Sequence, residues 1–396
     1  MTESLSAPSR ATSAGAVPDV EAHAALLDAF ALQIADVLGP LVPASEPVAL
    51  LDSPLTPNVG DSMIWLGTLA YLERRGLRPT YTCTNRTFSP DTLARRIGRG
   101  TILLSGGGNF GDLYPDHQEF REEIVTRFPN HRVVQLPQSI HFESQEALAA
   151  TGRVLDRHRD FTLLVRDQSS FDVAHRAFRS PAILCPDMSL ALGPIERPEP
   201  TTDVVWLARE DKEAHEAHEP VASVPSGVVR LDWMSDDLSS RIALYRRLVP
   251  MLAHRAWLRG ALHGLMSHEG DAVARASVAR GVRLLGQGRA VVTTRLHGHL
   301  LACCSASVTC CSTTATARCT AHTTRGRTRR RSSSWPTTRA RRSPARWRSP
   351  RPNAPSRPLR RSVPPRAPRQ AGPLHGPRSA PPRSRRSCPR SRSPAS

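Results

Sequence analysis

The chain has 396 residues, enough for two domains, and a formal net charge of +19. The charge is concentrated at one end, because residues 303–396 contain 23 Arg and no Lys, Asp or Glu. Residues 1–302 therefore carry a net charge of −4. For these residues, charge gives no reason to expect nucleic-acid binding.

No apolar run reaches the roughly 18 residues of a membrane span, so we expect no stable membrane insertion. Only Cys83 and Cys185 precede residue 303, which predicts a reducing compartment and no disulfide framework. Residues 1–20 are rich in Ser and Ala and lack the basic-then-apolar pattern of a signal peptide. They are predicted to be a disordered leader, and the protein is predicted to be cytoplasmic.

Residues 21–192 alternate between apolar runs that fit buried strands and segments with apolar positions at helical spacing. The predicted strands are 47–51, 80–84, 101–104, 132–136, 161–165 and 182–185. The predicted helices are 21–38, 63–75, 90–97, 117–128, 143–158 and 169–178. This alternation predicts an N-terminal domain built on a mostly parallel sheet that is covered on both faces.

Residues 193–201 contain Gly, Pro and Glu and are predicted to be a linker. A second domain is predicted over residues 202–302. It begins with a strand at 204–208 and a polar loop at 211–226, and it continues with helices at 239–257 and 271–285. A strand at 290–293 ends this series.

Polar residues stand where several predicted strands end, and each has a structural and a functional interpretation. Asp61 near a helix start can stabilise that helix, or its carboxylate can hold or deprotonate a hydroxyl. The run 106–108 of three glycines can form a tight turn, or let the backbone approach an anion or a sugar. Arg166 can form a surface salt bridge or bind an anion.

Other polar residues near strand ends are more ambiguous. Gln138 and Ser139 can simply end a strand, and Asp187 can belong to a turn. His117 and His141 are predicted to be solvated residues of a helix end or a loop.

The segment 293–299 gives the strongest local signal. An apolar run leads into Arg295, Leu296 and His297, which predicts a strand that passes directly into a helix. Arg offers a fixed fork of donors to a carboxylate or phosphate, and His can carry a proton near neutral pH. His297 and His299 are two residues apart, which is not the spacing of one helix face, and no Cys or carboxylate cluster accompanies them. A metal site is therefore not predicted, and a structural His pair remains the alternative.

Together these segments resemble the polysaccharide pyruvyl transferase family. Each segment is weakly specific alone, whereas six in the same order, between about residue 45 and residue 302, make the match fairly specific. The six segments are 58–61, 106–112, 137–139, 166–170, 186–188 and 295–299.

The resemblance implies two Rossmann-like domains that face a cleft in a GT-B-like arrangement. It also implies transfer of the pyruvyl group of phosphoenolpyruvate to a sugar hydroxyl of a polysaccharide or lipid-linked saccharide, with a pyruvate ketal formed and phosphate released. Phosphoenolpyruvate would be a co-substrate, and neither a cofactor nor a metal would be required.

The resemblance also implies roles for particular residues. Arg295 and His297 would bind phosphoenolpyruvate, with His297 as the proton donor, and Arg166 would be a second anion clamp. Asp61 would contact the acceptor hydroxyl as the second catalytic residue. The other expected substrate-binding residues are Leu296, Asn58, Gly107, Gly108, Asn109, Gln138 and Ser139. Two other functions stay open: a GT-B-like glycosyltransferase that uses a nucleotide sugar, and a nucleic-acid binder that acts through its basic tail.

The composition changes abruptly after Ala302. Residues 303–396 contain 15 Pro and no acidic residue, which predicts a disordered tail and an incomplete second domain. A single base lost at this point explains the change better than an Arg-rich nucleic-acid arm. Shifting the frame lets residues 303–319 be read, with permissive choices of the undetermined base, as an apolar helix end, a turn, a strand and a polar loop, in which Ala306 can become Gly, Ser, Arg or Cys. We therefore predict that the tail is out of frame and that this chain is poorly stable and weakly active or inactive.

Overall fold

The computed structural model describes residues 20–208, 226–233, 242–243 and 256–311, with the backbone alone at 20–22, 256–269 and 308–311. All of these residues belong to one compact unit, Met1–Arg327. Most of the predicted leader, of the loop at 211–226 and of the helix at 239–257 lies outside the described residues, as does the tail beyond Cys311.

The first sheet is built from apolar strands whose paired neighbours all run parallel. Its strands are β1 (Val48–Leu51), β2 (Pro79–Cys83), β3 (Thr101–Leu104), β4 (Gly107–Gly111), β5 (Val133–His141), β6 (Phe161–Val165) and β7 (Ala182–Leu184). Their order is β2-β1-β3-β5-β6-β7, with β4 paired to the second half of β5. Every residue of β1, β3 and β6 is buried, as expected for a parallel sheet covered on both faces.

Helices connect these strands and begin at residues that satisfy free backbone N–H groups. Asn58, Ser144 and Asp167 accept hydrogen bonds from the first turns of their helices. The helices are α1 (Val20–Leu38), α2 (Val59–Arg74), α3 (Pro90–Ile97), α4 (Pro115–Arg127), α5 (Gln145–Leu155) and α6 (Gln168–Ala177), with a 3₁₀ helix at Met188–Leu192.

A second parallel sheet follows, with strands β8 (Thr202–Leu207), β9 (Val228–Leu231), β10 (Gly288–Thr293) and β11 (Val308–Cys311). Their order is β11-β10-β8-β9. Helix α7 (Ala256–Gly286) precedes β10, and helix α8 (Leu296–Cys304) follows it. The predicted α/β class with parallel sheets is confirmed, whereas the GT-B-like arrangement and the domain limits stay predictions.

Helices α2 and α7 join the two sheets. The indole Nε1 of Trp65 donates to Asp271 Oδ1 at 2.7 Å, and Ser277 Oγ donates to the Pro57 carbonyl at 3.2 Å. Gly281 packs against Val59, where a β-carbon on Gly281 would come within 2.6 Å of the valine. A shared apolar core continues through this contact. It includes Leu72 of helix α2 and apolar residues of the second sheet and its helices. The carboxyl ends of both sheets therefore lie at fixed positions beside each other.

Three predicted segments differ from the structure. Strand β5 does not end at Leu136 but continues to His141. The register between β5 and β6 shifts at Pro137, so the strand pairing does not require a backbone N–H at this residue. The glycine run does not end in a turn but enters strand β4, which lies so close to β5 that a β-carbon on Gly111 would collide with the His141 carbonyl. The chain after Ala302 continues helix α8 to Cys304 and adds β11, which pairs with β10, whereas the sequence predicted disorder from residue 303.

Within the part of the chain that the structure describes, no helix has both the length and the apolar character to span a membrane.

Candidate active site

The carboxyl ends of strands from both sheets surround one cavity of about 570 Å³. This edge of a parallel α/β sheet is where ligands bind, because loops and helix N-termini converge there. The first sheet supplies the segments after β1, β2, β3 and β6, and the second supplies those after β9 and β10. Eight residues of the predicted site line the cavity: Asn58, Asp61, Gly108, Asn109, Arg166, Arg295, Leu296 and His297.

Arg166 and His297 meet at one buried carboxylate. Arg166 NH1 donates to Asp187 Oδ2 at 2.7 Å, and His297 Nε2 lies 3.4 Å from the same oxygen. Burial by itself raises the pKa of Asp187, but His297, Arg166 and Ser189 together hold that pKa well below its ordinary value. The Arg166 Nε also donates to Ser139 Oγ at 2.9 Å. Asp187 therefore links residues of the two sheets, which goes beyond the turn that was one interpretation of its sequence position.

Arg295 occupies the N-cap position of helix α8, and its side chain has its own carboxylate partner. Its NH2 lies 3.0 and 2.8 Å from the two carboxylate oxygens of Asp232, and its guanidinium lies 6.0 Å from the ring centre of Trp233. The Arg295 backbone N–H donates to Thr293 Oγ1, which fixes the turn between β10 and α8. Arg295 is only 6% exposed, so its guanidinium is largely shielded from bulk solvent.

Asp61 lies in the first turn of α2, at the cavity wall. Asn58 Nδ2 donates to Asp61 Oδ2 at 3.0 Å, and Asn58 Oδ1 accepts from the Gly60 N–H as the N-cap. Burial raises the pKa of Asp61, although the charges of His297, His117 and Arg166 oppose that rise. Asp61 is thus a carboxyl group that gains a proton more readily than an exposed aspartate.

Gly60 allows His297 to approach helix α2. A β-carbon at residue 60 would lie 2.6 Å from His297 Nδ1 and 2.9 Å from its Cβ. Only glycine leaves this space, and the ring therefore lies between helix α2 and the Asp187 carboxylate.

Some residues of the glycine segment line the cavity, whereas residues at the end of β5 hold cavity-lining residues in place. Gly108 and Asn109 line the cavity, whereas Gly107 is buried within β4. Gln138 is fully buried and donates to Asn109 Oδ1 at 2.8 Å. Ser139 holds Arg166. Gln138 and Ser139 therefore support residues that line the cavity, and the predicted direct contact of Gly107, Gln138 and Ser139 with a substrate remains a prediction.

His117 belongs to the cavity, although the sequence predicted a solvated helix end. Its Nδ1 lies 2.8 Å from Asp52 Oδ2 and 3.0 Å from Oδ1, and both residues line the cavity. Burial lowers the pKa of His117, but the hydrogen bond to Asp52 and its charge outweigh this effect, so the pKa is raised overall. Asp52 has a φ of 65°, in the left-handed region that Asp tolerates better than most residues.

The sequence reasoning did not identify Asp52, Asp232 or His117 as site residues. Asp52 follows β1 directly and Asp232 follows β9 directly, so their position after a strand was the available signal. His117 carried no such signal, because it lies inside helix α4 and reaches the cavity only through tertiary packing.

Comparison with known proteins finds matches over more than half of the chain. The family model described as polysaccharide pyruvyl transferase matches residues 58–306. The chain is 31% identical over 268 residues to the putative pyruvyl transferase EpsO of Bacillus subtilis (strain 168), covering 66% of this chain and 79% of EpsO. It is 30% identical over 268 residues to pyruvyl transferase 1 of Schizosaccharomyces pombe, covering 64% of this chain and 63% of that relative.

A solved structure of a functionally uncharacterised protein from Klebsiella pneumoniae covers 72% of this chain and 84% of its own, with 16% identity and a TM-score of 0.40. The family match extends over more than half of the chain and includes every predicted site residue. The chain therefore belongs to the polysaccharide pyruvyl transferase family.

Proposed function

We propose that this protein transfers the pyruvyl group of phosphoenolpyruvate to hydroxyls of a polysaccharide or its saccharide precursor, forming a pyruvate ketal and releasing phosphate. The observation that carries the proposal is the cavity lined by Arg166, which is 10% exposed, and Arg295, which is 6% exposed, from different sheets, together with His297 and Asp61. Phosphoenolpyruvate has a carboxylate and a phosphate, and arginine forks match both groups. The two sheets would face each other across this cavity in a GT-B-like arrangement.

Ketal formation releases two hydroxyl protons. One proton is balanced by the proton added to the methylene carbon of phosphoenolpyruvate, and the other leaves with the phosphate. His297 is the proposed donor to the methylene carbon, since it lines the same cavity as both arginines and shares the Asp187 carboxylate with Arg166. Asp61 and the His117–Asp52 pair are the proposed proton acceptors, one for each hydroxyl.

The wider setting is part of the proposal. The name of EpsO suggests an exopolysaccharide product for this chain as well. The acceptor would enter from the side of the cavity formed by the segments after β1 and β2 and by the start of α4.

A direct test measures binding and turnover separately. Calorimetry with phosphoenolpyruvate tests the donor site without an acceptor. Incubation with phosphoenolpyruvate and a panel of hexosides that have two neighbouring free hydroxyls, followed by proton NMR, tests for the ketal methyl group. Binding of phosphoenolpyruvate is expected, with slow ketal formation. If the chain ignores phosphoenolpyruvate but consumes a nucleotide sugar, the glycosyltransferase alternative replaces this proposal.

A further inference from the structure

A β-bulge presents two residues of strand β4 to the cavity. Strand β4 pairs with β5 at Gly107, Phe110 and Gly111, and the register shifts between Gly107 and Phe110. Gly108 and Asn109 lie in this shift, outside the paired positions, and both line the cavity. Bulges of this kind commonly re-aim side chains next to active sites.

The orientation of the Asn109 amide is fixed by its neighbours. Arg121 NH2 lies 3.0 Å and Gln138 Nε2 lies 2.8 Å from Asn109 Oδ1. A guanidinium can only donate hydrogen bonds, so the amide atom that faces Arg121 must be the oxygen. Among the described residues the Asn109 Nδ2 has no protein partner, so its two N–H donors are left for a ligand in the cavity.

Arg121 is a buried cation that fixes this amide. It is 2% exposed, its guanidinium lies 4.4 Å from the ring centre of Phe110, and it donates to the side-chain oxygens of Gln135 and Gln118 at 2.6 Å each. Burial lowers its pKa to about 10, so it keeps its charge at neutral pH. Within the described part of the chain its hydrogen bonds go to neutral amides, and the nearby carboxylates of Asp52 and Glu122 offset part of its positive charge through space.

A second cation lies on the cavity side of the bulge. A β-carbon at Gly108 would be 3.3 Å from Arg166 NH2, so glycine lets the guanidinium approach the backbone here. The bulge therefore combines amide donors, an adjacent guanidinium and a buried positive charge behind them. This set of donors suits a phosphoryl dianion, which has several acceptor oxygens and no donor.

We propose that the Gly108–Asn109 bulge is the phosphoryl subsite, at which Asn109 Nδ2 and Arg166 donate to phosphate oxygens. Arg121 and Gln138 are positioning residues that keep the Asn109 oxygen turned away from the cavity. The assignment rests on the proposed function, because the phosphate would belong to phosphoenolpyruvate or be the released product. It leaves Arg295, in the second sheet, for the carboxylate.

The variant Asn109→Asp tests this subsite, since the new carboxylate would pair with Arg121 but would offer no donor and would repel an anion. Calorimetry with inorganic phosphate and with phosphoenolpyruvate is expected to show affinity lowered about tenfold or more. Affinity for pyruvate, which lacks the phosphate, should fall less. The thermal midpoint should stay equal or rise, because Arg121 gains a charged partner, and a purely structural role for Asn109 would not separate binding from stability in this way.

Two further variants complete the test. Asn85→Asp adds the same charge elsewhere on the cavity wall, away from the bulge, and should lower phosphate affinity much less. Arg121→Lys keeps the positive charge but loses the fork that holds Asn109, and it should weaken phosphate binding although the net charge is unchanged.

The possible outcomes separate the subsite from the function. If the unaltered chain binds phosphoenolpyruvate and Asn109→Asp binds it equally well, the subsite is wrong while the proposed function stands. If the unaltered chain binds neither phosphoenolpyruvate nor phosphate, both proposals fail. Binding of phosphate without phosphoenolpyruvate would support the subsite and contradict the proposed donor.

Discussion

The two sheets contribute to the cavity in different ways. The wall from the first sheet is supported from within, because Arg121, Gln138 and Ser139 hold Asn109 and Arg166 through part-buried side-chain hydrogen bonds. The wall from the second sheet consists mainly of Trp233 and residues 295–297, at the start of α8. His297 takes its position largely from the first sheet, through Gly60 and Asp187.

This difference indicates which wall of the cavity should be more sensitive to changes in the sequence. The first wall depends on local packing within one well-covered sheet. The second wall depends on helix α8 and strand β11, which lie where the composition changes. Changes on the two sides should therefore have different consequences, and the following predictions are ordered from the largest expected effect to the smallest.

The largest effect is expected from restoring the reading frame after codon 302. The predicted family-like frame would supply apolar residues for further strands of the second sheet, and the Arg- and Pro-rich composition of the present tail has few of them. We expect the restored chain to unfold cooperatively at a higher temperature and to form ketal faster, measured by calorimetry and NMR. Sequencing the DNA around codon 302 decides whether such a frame exists, and robust ketal formation by the present chain would contradict its predicted weakness.

The next largest effect is expected for Gly60→Ala. The added methyl group would collide with the His297 ring and displace it from Asp187. Because a misplaced proton donor affects the chemical step, we expect kcat to fall about a hundredfold or more. Gly270→Ala is the control, since among the residues whose side chains the structure describes its methyl group would meet only the Ser53 hydroxyl, at 3.2 Å. Equal activity of both variants would show that the second wall does not depend on Gly60.

Replacing Arg166 in the first wall and Arg295 in the second wall should lower the unfolding free energy by different amounts. Arg166→Met leaves Asp187, which is 5% exposed, without its guanidinium partner and should cost about 3 kcal/mol of unfolding free energy. Arg295→Met leaves Asp232, which is 13% exposed and better solvated, and should cost less. Both should abolish binding of phosphoenolpyruvate. Denaturant unfolding measures the difference, and a larger stability loss for Arg295→Met would reverse the comparison.

The His117–Asp52 pair predicts a pH-dependent contribution within the first wall. The folded-state pKa of His117 is raised, so its contribution to stability is fully present below the unfolded pKa and is lost as pH rises through the folded value. Asp52→Asn keeps a residue that tolerates the left-handed backbone but removes the charge. The stability difference between the two proteins should therefore shrink as the pH is raised from about 5.5 to about 9, in denaturant titrations at each pH. A constant difference would contradict the role of His117.

The smallest effect concerns residue 306, in the turn between α8 and β11. Ala306 has a φ of 51°, which is costly for any residue with a β-carbon. Ala306→Gly should raise the unfolding free energy by about 1 kcal/mol, because glycine adopts this conformation without strain. The shifted reading frame allows Gly, Ser, Arg or Cys at this position, and only glycine would relieve the strained backbone. A destabilised glycine variant would contradict this expected relief of strain.

The sequence predicted much of the fold because hydrophobic periodicity is a local property. The strands at 101–104 and 161–165 and the helix at 90–97 have the predicted bounds. Strand β4 was missed because glycines have low strand propensity, and this strand forms only through close pairing with β5. The continuation of β5 past Pro137 was missed for a related reason, since the bulge that accommodates the proline depends on the neighbouring strand.

For the site, the sequence by itself determined which strand ends carry Asp61, Asn109, Arg166, Arg295 and His297, since these positions follow from local patterns and from the family motifs. Only the tertiary structure decided that Asp187 joins Arg166 to His297, that Asp52 holds His117, and which atom of Asn109 faces the cavity. Each of these contacts joins residues from different strands and helices. Electrostatics and hydrogen bonding act over a few ångströms in space, so sequence separation alone cannot reveal them.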